Sequence, residues 1–270
     1  MAALIDLTLA EIRAGLANGD FTAAELTAAY LDQMAATRDL ISFLKGKADS
    51  TILLGDQGRY LKNAIGFGTS QSGRFLRTFL YMGFNRDENG RRVFDGVWAH
   101  VAGAGRGSFN HRFAQPSRDG HRMTNTFYPS DIFPFADLRM LDAESKDDDG
   151  LLSKALEDNV VPHIFYTNGS YEYWGRAASL IHTSLDGKKD DGVSGHSRVY
   201  YLTGTQHGPG RWPAAKTAET LYPANPNDYR FLMRGLLAAF TKWVVANEAP
   251  PPSRSPRLDQ QELVAPAALN

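Results

Sequence analysis

The 270-residue chain contains no cysteine. That excludes disulfides, a thiolate nucleophile and any Cys-ligated metal site, and it leaves the redox compartment open. An excess of either charge is also missing. Against 29 Lys and Arg stand 30 Asp and Glu, a formal net charge of −1, so no general attraction to nucleic acid or an anionic membrane is expected. No apolar run approaches the ~20 residues a membrane-spanning helix needs. The opening, MAALIDLTLAEIR, lacks a basic segment followed by an apolar one. It does not read as a secretory signal, and the default expectation is a cytoplasmic protein. No internal repeat is visible. What is present is an ordinary globular composition, 43% hydrophobic and 11% aromatic, with enough apolar mass for a sizeable core. Function must therefore reside in a local site.

Residues 1–37 differ in character from the rest. Thr8 to Glu11 and Thr22 to Glu25 both read T-x-x-E. At that spacing a Thr hydroxyl and a Glu carboxylate reciprocally satisfy free amides at a helix start. Gly19, after Asn18, suits the left-handed position that ends a first helix. Leu9, Ile12 and Leu16 line one helical face, and Leu26, Tyr30, Leu31 and Met34 line another, which predicts a helical hairpin without chemistry of its own. A short apolar helix, 39–45, continues it. From there the pattern is mixed α/β. Strands are expected at 61–67, 94–101, 163–167 and 198–203, and helices at 74–82, 151–159 and 227–247. A long aromatic excursion at 103–140 reads as a cap or active-site loop, and a Pro-rich tail from 250 as extended and peripheral. Strands alternating with helices argue a mainly parallel sheet with helices on its faces.

The sharpest motif is Gly68-Thr-Ser70-Gln-Ser72-Gly73, where a short apolar strand meets a small-residue turn and a helix follows at once. That is the context of a nucleophile elbow, a sharp turn that lifts a serine oxygen above the sheet. The Gln71 amide at the helix start would then donate to a developing oxyanion. Ser72 fills the second glycine position of G-x-S-x-G, and Gly73 is displaced by one; a plain polar strand–helix turn has the same composition. A hydroxyl nucleophile needs a base, and the base an orienting carboxylate. Glu172 falls just past the strand at 163–167, and His207 just past the strand at 198–203. Loops at the carboxyl ends of parallel strands share one edge of the sheet, so Ser70, Glu172 and His207 can converge there.

Seven histidines compete for the role of base. His207 is preferred for its place after the last strand and its flanking glycines; His100 falls inside a strand, and His111 and His121 fall in the excursion. Asp186, Asp190 and Asp191 could replace Glu172, but their Gly- and Lys-rich loop reads as a solvated turn. Phe127, Tyr128, Phe133, Phe135 and Trp174 could line an apolar acyl pocket, or be plain core. Neither 103–107 nor the Asp-rich turns at 146–150 and 186–192 carry the spacing of a nucleotide or calcium loop. Asn168-Gly-Ser170 is a glycosylation sequon, without meaning unless the chain is secreted.

Two resemblances rest on these residues. Residues from about 38 to 264 resemble the C-terminal part of a bacterial α/β-hydrolase-domain family. The likeness is carried by Gly68-Thr-Ser-Gln-Ser-Gly-Arg-Phe-Leu-Arg77, Tyr81-Met-Gly-Phe-Asn85, the stretch from Phe94 through His100-Val-Ala-Gly-Ala-Gly-Arg-Gly107 to Arg118, Glu172-Tyr-Trp174 and Gly204-Thr-Gln-His207. It implies an α/β-hydrolase-like sheet and serine-hydrolase chemistry on carboxylic esters, with Ser70 as nucleophile and no metal or organic cofactor. Residues 1–37 resemble the N-terminal helices of amidase-signature enzymes, through LT-x-x-E followed by G-x-x-T-x-x-E-L and Y-L. The Gly/Ser-rich segment that carries amidase catalysis does not follow.

In a complete α/β-hydrolase about four strands precede the nucleophile strand, and here there is room for almost none. The expected sheet therefore lacks its upstream strands, its second oxyanion donor is not identifiable, and its nucleophile strand becomes an edge. The expectation is a composite or truncated reading frame with three parts: an amidase-like hairpin (1–37), a catalytic part (38–249) and the tail (250–270). The substrate expected is a small-molecule ester. The alternative is an inactive remnant that self-associates through its exposed sheet edge.

Overall fold

The computed structural model describes residues 9–45, 61–107, 131–191, 193–214, 216 and 221–264. Helix α1 (Leu9–Asn18) ends at Gly19, whose φ of 76° is the left-handed conformation predicted for it. Helix α2 (Ala23–Lys45) opens with the Thr22–Glu25 box: the Thr22 amide donates to Glu25 Oε2 at 2.7 Å, and the Glu25 amide donates to Thr22 Oγ1 at 3.1 Å. Thr8 of the first box lies outside the described residues. Rich in Ala and Leu, α2 is a single helix that runs through residue 37 without a break. It docks on the α/β body by burying Met34 in the core, and Lys45 Nζ donates to the Arg92 and Val93 carbonyls and pairs with Asp95 at 2.7 Å.

The body is a four-stranded parallel sheet. Its strands are β1 (Ile65–Thr69), β2 (Gly96–His100), β5 (His163–Gly169) and β6 (Ser197–Leu202), in the order β1-β2-β5-β6. A small antiparallel ladder, β3 (Met140–Leu141) with β4 (Asp148–Asp149), lies apart from it and closes the Asp-rich turn at 146–150. The connections are α3 (Gln71–Tyr81), α4 (Ser153–Glu157), α5 (Ser170–Gly175) and a long final helix, α6 (Arg230–Ala246). Successive strand residues alternate between two cores, as the pleat requires. Val97, Ala99, Ile164, Tyr166 and Val199 pack with Leu76, Phe79 and Leu80 of α3 on one face. Trp98, Phe165 and Tyr200 pack with Leu236, Phe240 and Trp243 of α6 on the other. All of β2 is buried, the pattern of a central parallel strand.

Observed boundaries depart from the expected ones for physical reasons. Pairing of β1 starts at Ile65 because its partner β2 starts at Gly96, and Asp95 Oδ2 accepts the Ala64 amide in place of a ladder bond. Helix α3 starts at Gln71, three residues early, because the whole reversal is made at Ser70. The tail is not merely peripheral. Arg254 exchanges backbone bonds with Tyr201 and Val199 along the outer edge of β6, and Asp190 accepts the Leu258 and Asp259 amides. That covers the β6 edge, whereas among the described residues β1 pairs with β2 alone, and no strand precedes it. No helix among the described residues is long and apolar enough to cross a membrane.

Candidate active site

Ser70 joins β1 to α3 with φ 57° and ψ −116°, a conformation that costs a non-glycine residue about 1–3 kcal/mol. Two glycines make the turn possible. A Cβ on Gly68 would overlap the Ser72 carbonyl, and one on Gly73 would lie 2.9 Å from both Ala102 Cβ and the Gly68 carbonyl. The displaced glycine is thus explained: Ser72 faces solvent, while Gly73 is the position that packs against the sheet. The Ser70 amide donates to the His100 carbonyl at 2.8 Å, and the Ser70 carbonyl accepts the Arg74 amide. Although Ser70 stands at the N-cap of α3, its hydroxyl makes no capping bond. Its Oγ lies instead 3.0 Å from His207 Nε2.

His207 follows β6, and its Nδ1 is 2.6 Å from Glu172 Oε1. Glu172 lies in the first turn of α5, directly after β5 rather than in a loop, and is fully buried. Its second oxygen accepts the Gly169 amide at 2.8 Å. A side chain at Gly169 would overlap Thr205 Oγ1 and crowd Glu172 Oε2, so the close approach of the β5–α5 junction to the segment after β6 requires a glycine there. Ser70, His207 and Glu172 thus form one hydrogen-bonded chain along the carboxyl edge of the sheet. The Gln71 amide opens α3 beside Ser70, at the positive end of an eleven-residue helix.

The pocket candidates fare differently. Trp174 is 64% exposed, two residues past Glu172 on α5. Phe133 lines a separate cavity of about 1280 Å³ with Tyr81, Arg106 and Phe135, and none of the three site residues lines that cavity. Phe127, Tyr128, His111 and His121 lie outside the described residues. Asn168 of the sequon is buried, its Oδ1 accepting the Gly103 amide.

Reading by pattern missed the layer beneath the site. His100 ends β2 with its carbonyl on the Ser70 amide, and its ring stacks on Phe67 and meets Tyr229 edge-on at 5.5 Å. Thr167 Oγ1 accepts from Trp98 Nε1 at 2.8 Å and lies 2.8 Å from His100 Nδ1. Burial pushes His100 down to about 4, against the pull of the Glu172 charge, so the ring is neutral at pH 7. The Tyr229 hydroxyl donates to the His207 carbonyl at 2.9 Å and fixes the loop that carries the imidazole. No spacing signals Tyr229; only its place at the start of the long final helix could have drawn notice.

Comparison with known proteins bears on the domain that carries this site. A family model described as an alpha/beta hydrolase domain matches residues 31–267. The chain belongs to that family. The alpha/beta hydrolase domain thus takes in most of α2, the entire sheet and the tail that edges β6, and it supports hydrolase chemistry. A 54-residue stretch is 50% identical to a glutamyl-tRNA(Gln) amidotransferase polypeptide of Azorhizobium caulinodans, covering 20% of this chain. The match spans only 11% of that protein's length, so it gives the amidase-like resemblance weak support. No solved structure matches this alpha/beta hydrolase domain.

Proposed function

We propose that the protein is a serine hydrolase that cleaves carboxylic esters by acyl transfer. The observation that carries this reading is the hydrogen-bonded series Ser70–His207–Glu172 at a strained elbow. Ser70 Oγ attacks the ester carbonyl carbon while His207 Nε2 takes the hydroxyl proton. The carbonyl π electrons move to oxygen, and the Gln71 amide donates to that oxyanion, helped by the positive end of α3. The intermediate collapses with loss of the alkoxide, which leaves as the alcohol with the proton from His207. Water then adds to the acyl–Ser70 ester by the same path, His207 taking its proton and returning one to Ser70 Oγ, and the carboxylic acid departs. Glu172 accepts from His207 Nδ1–H throughout, which presents Nε2 to Ser70 and stabilises the imidazolium that forms.

Intact-mass measurement after fluorophosphonate treatment tests the proposal. A single adduct on the wild type, absent from Ser70→Ala, is expected. A folded wild type that takes up no adduct refutes an assembled site. A second reading draws on the β1 edge, where the described residues supply no neighbour on the side away from β2. It is an inactive hydrolase-like module that associates through that strand. A cooperative monomer with esterase activity rejects it. Matched ester and amide substrates separate ester cleavage from amide cleavage by the same three residues.

A further inference from the structure

Several large apolar side chains are exposed on the elements that carry the site residues. Phe67 lies three residues before Ser70 on β1 and is 54% exposed, and Trp174 follows Glu172 on α5. The excursion after His207 is pinned at its base, where the Gly210 amide donates to the Asn227 carbonyl and Asn225 Nδ2 to the Gly204 carbonyl, both at 2.7 Å. From that base it presents Trp212, Leu221 and Tyr222, exposed by 83%, 88% and 79%. Phe231, 72% exposed, stands in the first turn of α6, two residues past the Tyr229 that holds the His207 carbonyl. Each element that carries a site residue therefore also carries an exposed aromatic ring, and the loop after His207 is tied by these bonds to the start of α6. Soluble proteins seldom leave apolar side chains grouped in this way without a use for them.

We infer that this rim is a docking surface for a lipid aggregate, from which the site draws an ester with a long apolar acyl chain. The inference rests on the reading of Ser70 as nucleophile. Two features favour lipid over another folded chain. A protein seated across the rim would cover Ser70, whereas an aggregate brings its ester to it. The rim is also aromatic and basic in the way interfacial segments are: Trp and Tyr sit at the headgroup level, and across 208–234 Arg211, Lys216, Arg230 and Arg234 stand against Glu219 and Asp228. Such a segment complements an anionic lipid surface although the whole chain carries a net charge of −1.

The test is co-sedimentation of the full-length Ser70→Ala protein, which binds without turnover, with phosphatidylcholine vesicles containing about 30% phosphatidylglycerol. Partition onto the vesicles is expected, with a blue shift of tryptophan emission. Adding Trp212→Ser and Tyr222→Ser is expected to weaken partition about tenfold without lowering the unfolding temperature, because both side chains are solvated in the free protein. Absence of partition, or equal partition by the added variant, overturns the inference. A wild type that ignores vesicles and sediments as a dimer, with the added variant monomeric, also overturns it and gives the rim to a second copy. Partition without a fluorophosphonate adduct on the wild type leaves the docking surface standing and removes the nucleophile. An adduct without partition does the reverse.

Discussion

The strained conformation at Ser70 ties stability to the proposed function at one residue. Its φ of 57° and ψ of −116° suit glycine, yet a serine is held there by its bond to the His100 carbonyl and by the packing of Gly68 and Gly73. Ser70→Gly is accordingly expected to raise the unfolding free energy by up to about 1 kcal/mol while ester turnover falls at least about 10³-fold. Urea unfolding and an activated-ester assay on the same preparation check both signs, and a Ser70→Gly protein that is less stable contradicts the account of strain. Glu172 accepts from two donors at once, His207 Nδ1 and the Gly169 amide, and it is fully buried. Glutamine keeps the shape but must turn an NH₂ toward one of those donors. Glu172→Gln is therefore expected to lower kcat by about 10³- to 10⁴-fold while KM for a small ester changes little. An unchanged kcat would show that the carboxylate does not act through His207.

At the scale of the element, what could be read in advance was whatever follows from parallel strands. Their carboxyl ends share an edge, so residues placed just after β1, β5 and β6 meet whatever the helices do. That Glu172 lies in a helix rather than a loop was invisible, because the six residues of α5 are too few to show a helical period. The edge role of the tail was hidden for a similar reason: Pro250 to Pro252 argue against a strand, and the pairing with β6 is made by Ser253 and Arg254 just beyond them. The tight turn was legible as a motif but not in its detail. Only packing distinguishes Gly73, against Ala102, from solvent-facing Ser72. Gly73→Ala is thus expected to push α3 off the sheet and cost about 1–3 kcal/mol. Ser72→Gly, with no contact to lose, costs about 1 kcal/mol or less through helix propensity. Denaturant midpoints at constant m-value separate the two, and equal losses would count against the packing account.

Across the whole molecule, charge balance hides a strong sensitivity to acid, because three histidines are held neutral. His100 and His182 are buried, and His163 stacks on Trp243 at 4.1 Å. Burial pushes all three down to about 4, with the nearby His196 and the Arg92 and Arg198 charges adding to the effect at His163. In the unfolded chain each takes up its proton near 6.5, so between about 6.5 and 4 the unfolded state binds more protons than the native one. Stability contributed by these groups is complete above about pH 6.5, declines as pH falls through the window and is lost by about 4. Each fully engaged histidine contributes a slope of up to about 1.4 kcal/mol per pH unit. The carboxylates held low, Asp228 at about 2 among them, release their contribution at more acid pH and leave this window to the histidines. Unfolding free energy is therefore expected to be level from about pH 7.5 to about 6.5 and to fall steeply by about pH 5. His182→Gln can still meet the Tyr173 hydroxyl that now lies 2.8 Å from Nε2, but takes up no proton. It is expected to flatten the fall between about pH 7 and 5 by about 1–2 kcal/mol. A pH profile parallel to the wild type would mean that His182 does not enter the native core neutral, and the slope would pass to His100 and His163.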